Sequence, residues 1–126
     1  MDGLRVLLVE DDEDNRELMA EVLASSGFEV LSSATGQEGL KTLSERSVDV
    51  VVTDVGMPGM GGLEMARAAK AIAPQVPVVV VTGWANREDI AAARGRREVD
   101  AVLVKPVDPE ALAQAVSDVA RGRGRP

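Results

Sequence analysis

The sequence predicts an α/β fold: a parallel sheet of five strands with helices packed on both of its faces. Two observations predict it. Short apolar runs at residues 4–9, 28–32, 48–53, 76–82 and 101–104 alternate with segments of helical punctuation, the pattern of successive βα units. The run Val48-Asp49-Val50-Val51-Val52-Thr53 is nearly continuously apolar, as in a strand covered on both sides; a half-exposed strand would alternate. Right-handed crossovers between parallel strands then distribute the helices over both faces. A length of 126 residues suits one domain.

Each element has a local cause. After the first strand, Leu18, Met19, Val22 and Leu23 recur at helical spacing, and Gly27 stands where a C-terminal cap belongs. Thr35-Gly36-Gln37-Glu38 reads as a capping box for a helix carrying Leu40 and Leu43. The third strand leads through Asp54 into a turn-rich loop, Val55-Gly56-Met57-Pro58-Gly59-Met60-Gly61-Gly62, and a helical pattern from 63 to about 73 stops before Pro74. Asn86 caps a weaker alanine-rich helix through Ala93. Asp108-Pro109-Glu110 opens the last helix, with a capping carboxylate, proline at the first helical position, and Leu112, Val116 and Val119 on its inner face. The folded domain is expected over residues 1–120, with 121–126 a basic C-terminal tail or linker stub.

Composition narrows the chemistry. The chain is 45% apolar and 28% charged, a globular balance. No apolar stretch approaches the roughly 18 residues that span a bilayer, and Met1-Asp2-Gly3-Leu4-Arg5 lacks a basic-then-apolar leader. A cytoplasmic protein without membrane insertion is expected. The chain has no cysteine and no histidine, which excludes disulfides, thiolate or imidazole metal sites, serine-histidine triads and a phosphohistidine carrier. Any acid, base or nucleophile must be a carboxylate, a hydroxyl or a lysine. The net charge is −7, and Arg121, Arg123 and Arg125 at the end leave the body more acidic still. Such a surface repels phosphate backbones, so direct nucleic-acid binding is not expected. The patch Arg94, Arg96, Arg97 lacks interleaved aromatics and reads as a solvated helix end.

Parallel strands share one C-terminal edge, where open α/β sheets place their ligands. Glu10-Asp11-Asp12, Asp54, Thr82-Gly83 and Lys105-Pro106 all fall there. Taken alone, Asp54 has two readings: a turn residue that caps backbone N–H groups, or a carboxylate placed for chemistry. The other three segments favour the second. Asp12, Glu13 and Asp14 read as helix N-terminal charge, but Glu10 and Asp11 emerge beside Asp54 if the first and third strands are neighbours. Three carboxylates so close repel one another, and a divalent cation relieves them. Mg2+ suits the set, because it is a hard ion that takes one or two carboxylates, keeps several waters and completes its octahedron with phosphate oxygen. Lys105 projects from the edge toward anionic groups, Thr82 offers a hydroxyl, and Gly83 leaves space. Together they can hold a phosphoryl group on Asp54.

With these residues in place, the chain resembles a response-regulator receiver domain of two-component signalling over residues 4–120. The matches are Val-Leu-Leu-Val-Glu10-Asp11-Asp12, Thr53-Asp54-Val-Gly-Met-Pro58-Gly-Met-Gly-Gly62, Val-Thr82-Gly83 and Val-Leu-Val-Lys105-Pro106, in family order and at family-like intervals. The resemblance implies a flavodoxin-like (βα)5 three-layer sandwich with strand order 2-1-3-4-5, a topology whose reference examples include a receiver protein. It implies that Asp54 is the phosphoacceptor and Asp11 a direct Mg2+ ligand. Glu10 would act mainly through metal-bound water, and the backbone carbonyl of Gly56 would be another ligand. Thr82 and Lys105 would bind phosphoryl oxygens, and the Lys105-Pro106 bond would be cis. The phosphodonor would be a sensor histidine kinase or a histidine phosphotransfer protein, and the chain a signalling domain that catalyses only its own phosphotransfer and slow autodephosphorylation.

Two departures stand out. Val102 occupies the position, three before the lysine, where many receivers carry a switching aromatic residue. The sole tryptophan, Trp84, lies two residues after Thr82. The Thr-Gly-Trp segment and Val102 are similar to receivers joined to histidine kinases, so a piece of a hybrid kinase and a single-domain regulator are both expected forms. A haloacid-dehalogenase-type phosphohydrolase would want a second carboxylate two residues after its nucleophile, where this chain has Gly56. A degenerate receiver would lack acceptor or metal residues, and all are present. In receivers the first helix docks the phosphodonor; Asn15, Leu18 and Val22 are the residues expected to make that contact.

Overall fold

The structure, a computed structural model, describes residues 3–57, 59–83 and 88–122. Pro58, Trp84, the expected cap Asn86, and Arg123 and Arg125 of the expected tail lie outside the described residues. The order of elements is β1 (Arg5–Val9), α1 (Glu13–Ser25), β2 (Glu29–Ser33), α2 (Gly36–Glu45), β3 (Val50–Asp54), α3 (Gly62–Ile72), β4 (Val78–Thr82), α4 (Glu88–Gly95), β5 (Ala101–Val104) and α5 (Pro109–Gly122). All strand pairs are parallel, and their order is β2-β1-β3-β4-β5. The predicted three-layer α/β sandwich and its strand order are borne out. No helix of the described residues is long and apolar enough to cross a membrane.

Alternation along each strand divides the core in two. Leu7, Val9, Val51, Val78 and Val80 face one way and meet Leu43 of α2, Met65, Ala66 and Ala69 of α3, and Ile90 and Ala93 of α4. Val6, Leu8, Val50, Val52, Val79 and Val81 face the other way and meet Met19 and Leu23 of α1 and Leu112 and Val116 of α5. Strands β3 and β4 are buried along their whole length, which is why they read as continuous apolar runs. On α1 the inward positions are Met19 and Leu23. Leu18, one residue round the helix, is left 58% exposed.

The caps follow the local chemistry. Asp12 accepts the Asn15 N–H at 3.1 Å, and Gly27 follows α1 at φ 96°, a conformation open to glycine without a Cβ penalty. Thr35 accepts the Glu38 N–H at 3.1 Å. The returning bond from Glu38 goes one residue further out than a strict capping box, to the Ala34 N–H at 3.3 Å. Asp108 accepts the Glu110 N–H at 3.2 Å, with Pro109 at the first helical position as expected. Element ends shift by one or two residues from the sequence expectation. The shift that matters is at β3, which runs through Asp54 and does not stop before it: Asp54 pairs with Val81, and the next N–H, of Val55, still donates to the Val81 carbonyl at 2.9 Å. A backbone ladder continues past the last apolar side chain because it is made by main-chain groups.

The start of α3 is pressed against this strand end. A Cβ on Gly62 would overlap the Asp54 carbonyl oxygen and stand 2.6 Å from Val55 Cα, both backbone atoms that cannot swing aside. Gly62→Ala is therefore expected to lower stability by about 1–3 kcal/mol. Gly95→Ala, where an added Cβ meets nothing within 4 Å, should be near neutral. Urea midpoints of the two variants check this, and equal midpoints would mean that the α3 approach is slack.

Candidate functional site

Strand pairing brings the predicted residues to one edge. Val9 of β1 is level with Thr53 of β3, so the residues that follow, Glu10 and Asp54, stand side by side. Both are buried, at 1% and 7% exposure. Alternation turns both toward the face covered by α1 and α5, and it does the same for Lys105, two residues beyond Leu103. The Lys105 ammonium donates to Asp54 Oδ2 at 2.9 Å and lies 3.9 Å from Glu10 Oε1. Asp54 Oδ1 accepts the Gly56 N–H at 3.2 Å. The two readings of Asp54 thus coexist, one oxygen fastening the turn and the other meeting the lysine.

Asp11 is exposed, yet a carboxylate oxygen from each of Glu10, Asp11 and Asp54 falls within 4.8 Å of the others. Glu10 Oε2 accepts the Asp12 N–H at 3.2 Å, whereas Oε1 is buried without a hydrogen-bond partner. An unpartnered oxygen in an all-oxygen acidic cluster is the donor chemistry of a hard divalent cation. These three residues are a group that could hold a metal ion. Electrostatics agree. Burial is the main force raising the Glu10 carboxyl to about 7, with Asp54 and Asp11 adding to it and the Asp12 N–H and Lys105 opposing it. For Lys105, burial pulls the ammonium down, but the hydrogen bond and charge of Asp54, helped by Glu10 and Asp11, outweigh it and leave the pKa above its ordinary value. At neutral pH the lysine is charged.

Thr82 is the buried last residue of β4, and its carbonyl accepts the Lys105 N–H at 2.8 Å. Alternation assigns its side chain to the α2–α4 side, so it flanks the carboxylates from across the sheet edge. Gly56 is exposed in the loop after β3. The Lys105-Pro106 bond is cis. A hollow of about 420 Å³ adjoins the site, with Glu10 and Lys105 at its base and Asn15, Leu18 and Val107 on its walls; Val22 lies instead in a neighbouring groove of about 620 Å³ between α1 and α5. The sequence reading passed over Arg16, whose Nη1 donates to the Glu10 carbonyl at 2.9 Å. Its signal was a lone cation in the first turns of α1, among Glu13, Asp14 and Glu17, where the helix dipole disfavours positive charge.

Comparison with known proteins agrees with this geometry. The response regulator receiver domain pattern matches residues 6–117. The chain is 35% identical over 113 residues to the transcriptional regulatory protein GlrR of Escherichia coli strain K12, covering 90% of this chain and 25% of that protein. It is 33% identical over 116 residues to the sensor histidine kinase RcsC of Salmonella typhi, covering 92% of this chain and 12% of that protein. The chain therefore spans a quarter or less of the length of these two relatives. A crystal structure of a response regulator receiver domain protein from Clostridium thermocellum superposes with a TM-score of 0.86 at 29% identity, covering 94% of this chain and 95% of that one. With the strand order, the strand-end residues and these likenesses in agreement, the chain belongs to the response regulator receiver domains of two-component systems.

Proposed function

We propose that this domain accepts a phosphoryl group on Asp54 from the phosphohistidine of a sensor histidine kinase or a histidine phosphotransfer protein, with Mg2+ at the acidic cluster. The observation that carries the reading is the 2.9 Å pair of Lys105 with a buried strand-end Asp54 beside an unpartnered Glu10 oxygen. A carboxylate oxygen of Asp54 attacks phosphorus in line, the new P–O bond forms as the P–N bond breaks, and the electron pair returns to the donor's imidazole. Lys105 stays charged and offsets the negative charge on the phosphoryl oxygens. The Thr82 hydroxyl donates to another of those oxygens. Glu10, Asp11, Asp54 and the Gly56 carbonyl are the residues that would hold Mg2+, whose contribution when bound is positive charge against the repulsion between carboxylate and phosphoryl group.

Phosphorylation takes from Lys105 its present partner oxygen and offers phosphoryl oxygens in exchange, and that rearrangement biases the surface that a downstream protein reads. Residues 1–120 are the signalling unit, with 121–126 a basic tail or linker stub. The donor approaches across α1, where the exposed Leu18 and the adjoining hollow would receive the apolar surface of a partner helix; Asn15 lines the same hollow.

Acetyl phosphate with Mg2+ is expected to label the protein at one site. Asp54→Asn should abolish the label, and Lys105→Ala should retain it while losing the conformational response, read by intact mass and hydrogen exchange. A label that survives in Asp54→Asn sinks the assignment.

The raised Glu10 pKa gives a second test. The unfolded chain releases this proton near 4.5 and the folded chain near 7, so between those values the folded state holds more protons. Stability in chelator is therefore expected to fall as pH climbs from about 4.5 to about 7 and to remain lower above that, by roughly 3 kcal/mol at most. Glu10→Gln should flatten this slope, and Mg2+ should restore stability at neutral pH by binding only the folded site. Melting curves across pH decide it: an equal slope in Glu10→Gln would place the titration elsewhere, and superimposable curves in chelator and Mg2+ would mean that the cluster holds no metal.

A further inference from the structure

Glu10 has four polar atoms, and three are fixed by this chain itself. Its N–H donates to the Ser33 carbonyl of β2 at 3.1 Å, and its Oε2 accepts the Asp12 N–H at 3.2 Å. Its carbonyl accepts Arg16 Nη1 at 2.9 Å. The fourth, Oε1, is the buried oxygen without a hydrogen-bond partner. The Arg16 main chain is anchored too, because its N–H donates to the Asp12 carbonyl at 2.8 Å in the first turn of α1. The guanidinium therefore folds back from the helix onto the residue where β1 ends, and clamps the short connection that carries Glu10 and Asp11.

Placing a cation there costs something. Arg16 stands near the positive end of the α1 dipole and close to a site that is to receive a second cation, so Coulomb's law alone makes it unfavourable for metal binding. A residue kept for surface charge would not need to reach a backbone carbonyl. A clamp does need to, since the carboxylates at the end of a strand are oriented only as well as the main chain that bears them.

Resting on the reading of Glu10, Asp11 and Asp54 as a Mg2+ site, we propose that Arg16 is a positioning residue for that site: by holding the Glu10 carbonyl, it aims the Glu10 and Asp11 carboxylates at the cation. It touches neither metal nor phosphoryl group. Removing it should weaken Mg2+ binding while leaving the reacting groups, Asp54 and Lys105, in place.

The test is a Mg2+ titration of the full chain without phosphodonor, read as the rise in melting temperature above that in chelator, for wild type, Arg16→Met and Arg16→Lys. Arg16→Met should raise the half-saturating Mg2+ concentration about tenfold, the lower end of what loss of a group supporting metal ligands costs. Arg16→Lys, which keeps a donor on a long stem, should return it to within about threefold of wild type. At saturating Mg2+, acetyl phosphate should label Arg16→Met at a plateau rate within about twofold of wild type, a split that a loosened fold would not produce. An unchanged or lower half-saturating concentration in Arg16→Met would overturn the proposal, the lower value meaning that charge repulsion dominates. So would a lowered plateau rate at unchanged half-saturation. If Arg16→Met does not fold, Arg16→Gln, whose shorter stem brings no charge to the Glu10 carbonyl, decides: an unchanged half-saturating concentration there would overturn the clamp. A wild type without any Mg2+ shift would sink the metal reading, and this proposal with it, whereas a wild-type shift that Arg16→Met leaves untouched sinks only the role of Arg16.

Discussion

Glu10 and Asp54 are buried carboxylates at the ends of adjacent strands, and the ladder between β1 and β3 leaves them no freedom to separate. Everything else at this edge answers that constraint. Lys105 reaches in from β5 to neutralise one of them, and burial keeps the proton on the other up to about pH 7. Even so, one Glu10 oxygen makes no hydrogen bond, with only the Lys105 ammonium 3.9 Å away. A protein selected for stability alone would place an apolar or neutral residue here, because a buried polar atom without a hydrogen bond costs on the order of 1–3 kcal/mol. The cost is retained at the one edge where a ligand can relieve it.

The opposite edge of the sheet supplies the contrast. Asp49 and Asp100 also sit at strand ends, but there their side chains are satisfied from within: Asp49 Oδ2 accepts the Arg5 N–H at 2.8 Å, and Asp100 Oδ2 accepts both the Val78 N–H and the Lys70 ammonium at 2.8 Å. These carboxylates cap the first N–H groups of β1 and β4, donors the ladder cannot use. The same residue type thus does structural work at the N-terminal edge, and at the C-terminal edge it forms the acidic cluster with Glu10. At the C-terminal edge Asp54 has partners too, the Gly56 N–H and the Lys105 ammonium, and the difference lies in Glu10, whose Oε1 is buried without a hydrogen bond.

That difference also explains what could be read from the sequence. Element type and order were legible because valine-rich runs such as 50–52 and 78–81 have no stable place except inside a parallel sheet, and because Thr35, Asp108 and Pro109 announce helix starts through local chemistry. The residues of the candidate site were legible as strand-end positions once parallel strands put their ends together. The structural role of Asp49 was not, since its partner Arg5 is 44 residues away. Leu18 shared the helical spacing of Met19 and Leu23 and was also expected to meet a phosphodonor; it is exposed, and spacing alone could not decide, because it does not say which side of a wide apolar face meets the sheet. Arg16 escaped notice for a related reason: its acceptor is a backbone carbonyl, and main-chain acceptors leave no mark in the sequence.

Val102 sets a limit on how a change at Asp54 can travel. It lies half-buried against the core shared with α2, α3 and α4, and its short branched side chain has one torsion that sweeps little volume. A large ring at this place could exchange an outward for an inward position and carry a signal along β5. Valine has no such pair of positions. Two backbone contacts link the Asp54–Lys105 pair to its surroundings: the Thr82 carbonyl, which holds the Lys105 N–H at the end of the strand that precedes α4, and Gly62, packed on the Asp54 main chain at the start of α3. Of these two contacts the second is the stiffer, because that of Gly62 with the strand is between backbone atoms and has no slack. The helix α4 offers less resistance. Its buried residues among those described are Ile90 and Ala93, against Gly62, Met65, Ala66 and Ala69 in α3, so a shift of β4 by a fraction of an ångström meets fewer packed side chains in α4 than in α3.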